Sequence, residues 1–188
     1  VIYSRLVNAK EIYDEFITSN WLSAEPGLLL WDNVQSNSPE SVYPKYKQIS
    51  TNPCSEIAMQ ANDTCRLIVL NLTSFVNAPY TQYALFNFVE LERVAYEQQR
   101  LADDIIDLEV IKIDRILDKI SKDKDTVSDV ERDTWLALKQ TALDGRRTGC
   151  GFTGLGDVLA MMNLDYDSNE ALALVENISR IKMRGELN

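Results

Sequence analysis

Asn52, Cys54 and Glu56 are the residues whose types and spacing could do chemistry together. They lie in Ser50-Thr51-Asn52-Pro53-Cys54-Ser55-Glu56-Ile57. Pro53 fixes its own φ and pushes Asn52 away from helix, so the stretch reads as extended or looped. In an extended chain residues two apart share a face. The expectation is one row carrying an amide, a thiol and a carboxylate, with Pro53 and Ser55 turned away. A hydrolytic thiol needs a base to become thiolate, and a neighbouring carboxylate disfavours that ion. A neutral S–H that loses a hydrogen atom, beside a carboxylate that removes a proton from substrate, fits the row better. The plain alternative for Cys54 is a small apolar side chain in a loop.

Composition narrows the classes. The 188 residues are 45% hydrophobic, enough for one domain with a core. The formal charge of −10 argues against a phosphate-backbone binder, so neither DNA nor RNA is an expected partner. Histidine is absent, which removes His-based triads and HExxH zinc sites. Cys54, Cys65 and Cys150 show no CxxC spacing, so reduced thiols and a cytoplasmic setting are expected, with no metal. No apolar run approaches the ~18 residues of a membrane span. The chain reads as a piece of a larger protein, a single partial domain over 1–188.

The elements that must position the row follow from periodicity and punctuation. A helix is expected over residues 3–20 and a turn at Ala24-Glu25-Pro26-Gly27. Leu28–Asp32 reads as a short strand and Asn33–Tyr46 as loop. Cys65–Leu72 reads as a strand buried on both faces. Residues 82–120 carry a long helical pattern, with a break near Asp103-Asp104 or two abutting helices expected. After a charged loop from Lys122 to Asp125, Val127–Ala142 is another helix, with Val130, Trp135, Leu136 and Leu138 as candidate core. The glycines at 149, 151, 154 and 156 suggest a strand pressed against another backbone, then entry into a helix over 155–162. Asp167-Ser168-Asn169-Glu170 resembles a capping box opening a last helix to about Lys182. This order is that of an α/β chain with large helical insertions.

The Ser-Thr-Asn-Pro-Cys-Ser-Glu-Ile stretch resembles the NPCxE finger-loop motif of the ribonucleotide reductase large subunit. Similar matches lie in family order along the chain: Ala24–Gly27 with Trp31-Asp32 upstream of it, then Cys65-Arg66-Leu67 with Asn71-Leu72, Gln99–Asp107, and Gly145–Gly149 with Gly154 and Asp157. The resemblance implies part of a ten-stranded α/β barrel with the active-site cysteine on a central finger loop. It implies that Cys54 carries the thiyl radical, that Glu56 is the base on the 3′ hydroxyl, and that Asn52 binds substrate. Cys65 would be one of two reducing thiols, its partner lying outside this chain. Cys150 is read as packing, and Arg146 and Arg147 as structural ion pairs.

Ribonucleotide reduction to 2′-deoxyribonucleotides, for DNA precursor synthesis, is the implied function. The substrate would be a ribonucleoside di- or triphosphate, and the fragment alone should not turn over. The resemblance leans to the adenosylcobalamin-dependent branch; a separate metal-containing radical subunit is the alternative. Thioredoxin or glutaredoxin would be the reductant, and the rest of the reductase chain or a second copy the partner. Two other classes stay open: a non-catalytic helical interaction module, and a thiol redox protein using Cys54 and Cys65, which needs Cα atoms within ~7 Å.

Overall fold

The computed structural model describes residues 4–122 and 129–188, so Tyr3, Val127 and most of the expected charged loop lie outside the described residues. The chain divides into two compact units, 1–58 and 59–188.

In the first unit, helix α1 (Ala9–Ser23) is opened by Asn8, whose side chain accepts from the Lys10 N–H at 3.0 Å. It ends at Ala24 in the left-handed region, where the turn was expected. The strand expected over 28–32 is not formed. Trp31–Asn37 is helix α2 instead, followed by 3-10 turns at Pro39–Val42 and Pro44–Tyr46. Proline opens each 3-10 turn, where its missing N–H costs nothing. The only buried side chain of this unit among the described residues is Gln48, which donates to Ser38 Oγ and, at 3.1 Å, to Glu40 Oε2. Ile12, Tyr13, Trp21, Leu22 and Leu28 are all exposed, so the helical spacing of α1 does not mark a core face.

The second unit has the core. Strand β3 (Arg66–Asn71) pairs in parallel with β6 (Thr148–Thr153), in the register Arg66 with Thr148 through Asn71 with Thr153. Parallel neighbours need a long crossover, and helices α3 (Phe88–Lys122) and α4 (Asp129–Gly145) lie between them in sequence. Helix α3 is one unbroken helix through Asp103-Asp104. No Pro or Gly interrupts it, and Leu91, Ala95, Gln98, Ala102, Ile106 and Ile113 keep one buried stripe. On α4 the buried residue is Ala142, whereas Val130 and Leu136 are exposed. Helix α5 (Leu155–Met161) starts at Gly154, φ +80°, and α6 (Asn169–Leu187) is capped by Ser168 Oγ accepting from the Ala171 N–H at 3.1 Å. With Ala171 at the third position, the reciprocal arm of a capping box is missing. Leu72, Phe75, Phe86, Leu91, Val158, Leu159, Leu174 and Ile178 form the centre of the core.

The expected ten-stranded α/β barrel is not what the chain forms. Among the described residues it is predominantly helical, and its strands make three two-stranded sheets: β1 (Ser50–Thr51) with β2 (Ala58–Met59), β3 with β6, and β4 (Val76–Asn77) with β5 (Leu85–Phe86). A barrel requires each strand to be paired on both edges, and β3 and β6 each pair on one. One face of their sheet packs on α3. Leu67 and Val69, on the other face, are 63% and 60% exposed, so β3 is not buried on both sides.

Candidate active site

Asn52, Pro53, Cys54 and Ser55 make a tight turn, not the extended row. The Ser55 N–H donates to the Asn52 carbonyl at 3.0 Å, an i to i+3 bond with Pro53 at the second position. Asn first and Pro second is the sequence signature of such a turn. Ser55 then enters the left-handed region at φ +65°, and the chain returns so that the Asn52 N–H meets the Ile57 carbonyl at 3.1 Å. Four residues are thereby looped out between Asn52 and Ile57. Cys54 and Glu56 both stand exposed on this loop, and Asn52 is half-buried beneath them. Asn52 Oδ1 accepts the Ile57 N–H at 3.1 Å, so part of its side chain serves the loop itself. The turn brings the three expected residues onto one small feature but does not enclose them; the dry pocket a neutral thiol would need is not built by this loop.

Cys65 belongs to the second unit, at the head of β3, and is half-buried. Its neighbours on both sides are anchored. Arg66 Nε donates to Glu109 Oε2 at 2.6 Å, and Arg66 Nη1 donates to the carbonyls of Thr64 and Arg147, each at 3.2 Å. Thr64 Oγ1 donates to Glu109 Oε1 at 3.2 Å. Arg147 Nε meets Asp63 Oδ2 at 2.6 Å, with the Asp63 side chain only 2% exposed. Across the sheet, Gly149 leaves the room that the Cys65 sulfur occupies.

The family model for "Ribonucleotide reductase, barrel domain" matches residues 1–184. The chain belongs to the ribonucleotide reductase family. It is 26% identical over 172 residues, 92% of its length, to the vitamin B12-dependent ribonucleoside-diphosphate reductases of Thermoplasma acidophilum and Mycobacterium tuberculosis. It is 23% identical over 171 residues to the vitamin B12-dependent ribonucleotide reductase of Bradyrhizobium diazoefficiens, covering 91% of this chain and 12% of that one. This reductase segment spans about a fifth of the Thermoplasma and Mycobacterium relatives, 19% and 21% of their lengths.

Other residues of the reductase segment behave as structural groups. Arg146 donates from Nε to Asp103 Oδ1 at 2.7 Å and from Nη1 to Asp107 Oδ1 at 2.9 Å, which holds the Asp103 carboxyl below its ordinary range. Cys150 is half-buried on β6, its sulfur 3.3 Å from Gln99 Oε1. Burial, then the negative charge of Glu186, pushes its thiol above the ordinary value. Gln98 Nε2 donates to the carbonyls of Ile68 at 2.7 Å and Gly151 at 2.9 Å, tying α3 to both strands. The anchoring of Cys65 by Asp63, Arg66, Glu109 and Arg147 was not legible in the sequence, because these partners are 43 to 84 residues apart. No helix among the described residues is long and apolar enough to cross a membrane.

Proposed function

We propose that this segment is a partial catalytic core of a ribonucleotide reductase, with Cys54 as the radical-bearing thiol. The observation that carries the reading is the Asn52–Ser55 turn, which gathers Asn52, Cys54 and Glu56 onto one loop; membership of the family supports it. In this reading Cys54 loses its thiol hydrogen to a radical generator outside the segment. The thiyl radical then takes the 3′ hydrogen of a ribonucleoside di- or triphosphate, breaking C–H and forming S–H. Glu56 takes the 3′ hydroxyl proton, and the 2′ hydroxyl leaves as water. Cys65 and a thiol outside the chain supply two electrons and two hydrogens, one to the departing hydroxyl and one to C2′, and close to a disulfide; Glu56 then returns the proton to the 3′ oxygen, and Cys54 returns its hydrogen to C3′ and takes one back from the generator. An external dithiol protein such as thioredoxin or glutaredoxin reopens the disulfide.

The relatives are vitamin B12-dependent reductases, and on this reading adenosylcobalamin is the generator. Its cobalt would be held by the cofactor's own ring nitrogens, so it asks for no cluster of metal-ligating side chains here. The reading assigns cofactor, further cavity walls, and a homodimer or radical subunit to groups outside this segment.

Reduction of CDP and CTP by the complete reductase polypeptide carrying this segment, with and without adenosylcobalamin, tests the reading. Cys54→Ser should abolish product, and Cys65→Ser should stop thioredoxin-linked turnover. A second reading, a non-catalytic module, draws on the open exposure of Cys54 and Glu56; it predicts that Cys54→Ser changes nothing.

A further inference from the structure

Glu109, on α3, holds the residues on either side of Cys65 with its two carboxylate oxygens. Oε1 accepts from Thr64 Oγ1 at 3.2 Å, and Oε2 accepts from Arg66 Nε at 2.6 Å. The Arg66 side chain, only 6% exposed, then reaches across the head of the sheet. Its Nη1 donates to the carbonyls of Thr64 and Arg147, each at 3.2 Å. The Thr64 carbonyl belongs to the peptide bond that carries the Cys65 N–H. The Arg147 carbonyl lies just before the first rung of the parallel pair, where Arg66 faces Thr148. One carboxylate thus fixes the chain before and after the thiol and ties it to β6 where the pairing begins and fraying would start. Side chains alternate along a strand, so Cys65 points away from Arg66, over Gly149, and the clamp leaves its sulfur uncovered.

We infer that Glu109 is a positioning residue for the Cys65 thiol, acting through Arg66 and Thr64, and that it sets how readily that thiol closes a disulfide. The redox consequence rests on the reductase reading; the clamp itself does not. In each turnover Cys65 and its partner thiol each give up one electron and one hydrogen as the S–S bond forms. The bond needs Cβ atoms about 3.5–4.5 Å apart, and a sulfur on a fraying strand end meets that condition in fewer of its conformations. Asp63 does not replace Glu109. It takes the Thr64 N–H at 2.9 Å and Arg147 Nε at 2.6 Å, so it orders the chain before Cys65 and holds nothing after it.

The experiment compares Glu109→Gln, Thr64→Val and Cys65→Ser in the complete reductase polypeptide. Thr64→Val removes one arm of the clamp and leaves Arg66 with its carboxylate, so it reads the clamp even where Glu109→Gln weakens folding. Three readouts serve: iodoacetamide labelling of reduced Cys65 against Cys150, the dithiothreitol midpoint of the Cys65 disulfide, and kcat with KM. Glu109→Gln should speed Cys65 labelling on the order of tenfold, the loss of a charge-assisted hydrogen bond, and Thr64→Val by a few-fold. Cys150 labelling should stay as in the parent. The disulfide should reduce at a lower dithiothreitol ratio, because a loosened thiol has a lower effective concentration, and kcat should fall with KM unchanged. Unchanged Cys65 labelling in both variants, or equal acceleration of Cys150, would overturn the positioning role. An unmoved midpoint would overturn its redox consequence. Thioredoxin-linked turnover surviving Cys65→Ser would sink the reductase role of Cys65 alone, and the labelling ratio would still decide the clamp.

Discussion

Gly149 on β6 lies so close to Cys65 at the head of β3 that a Cβ on Gly149 would stand 2.9 Å from the Cys65 sulfur and closer still to Leu67 Cδ2. Both neighbours would have to move. Gly149→Ala should therefore destabilise the chain by about 1–3 kcal/mol, the usual range for overpacking. Urea unfolding measures the loss. An unchanged midpoint would mean that β3 and β6 yield at this point.

Asp63 and Arg147 hold the backbone just ahead of Cys65 as a buried pair, their side chains 2% and 15% exposed. Asp63→Ala removes the carboxylate that Arg147 Nε meets inside the protein and should cost about 3–5 kcal/mol. Replacing both, Asp63→Leu with Arg147→Met, should cost less than Asp63→Ala alone, because no charge is left unpaired. A double cycle by chemical denaturation separates the two; equal losses would show that Arg147 is compensated elsewhere.

The Arg146–Asp103 bond gives a pH signature. Arg146 holds the Asp103 carboxyl below its ordinary value of 3.8. A depressed carboxyl adds stability that is present above that value and is lost as pH falls through the lower, folded one. The Asp103 side chain is 46% exposed, so solvent screening keeps the effect small. Arg146→Gln should lower the unfolding midpoint at pH 5 and converge with the parent chain towards pH 2. Parallel curves across that range would exclude the linkage.

The thiols should differ in reactivity. Cys54 is exposed, while Cys150 is half-buried and its thiol is pushed up by burial and by Glu186. At pH 8, iodoacetamide should label Cys54 well before Cys150, read by peptide mass spectrometry. Labelling of Cys150 first would place it in a more open setting than the β6 packing gives.

Local chemistry was legible wherever neighbours along the chain decide the outcome. Asn-Pro-Cys-Ser marks a tight turn by its own residue types; of the extended and looped readings the loop is what forms, and the row of alternating side chains gave too little weight to Asn at the first position of a turn. The stripe from Leu91 to Ile113 announced α3, and the absence of Pro and Gly kept it whole despite the adjacent aspartates. Leu28-Leu29-Leu30 misled because a short apolar run has no period of its own; it precedes α2 with its side chains exposed.

The amino-acid sequence by itself determined the strand near Arg66 and the helices that follow it, since each depends on residue types within a few positions, and it determined the family through matches spread in order along the chain. Only the tertiary structure decided that the strands stop at pairs and leave Leu67 and Val69 exposed. It alone decided that Asp63, Glu109 and Arg147 clamp the start of β3, and that Gly149 yields space to Cys65. These outcomes depend on groups far apart in the chain meeting at hydrogen-bond or van der Waals distance, and no local pattern records such a meeting.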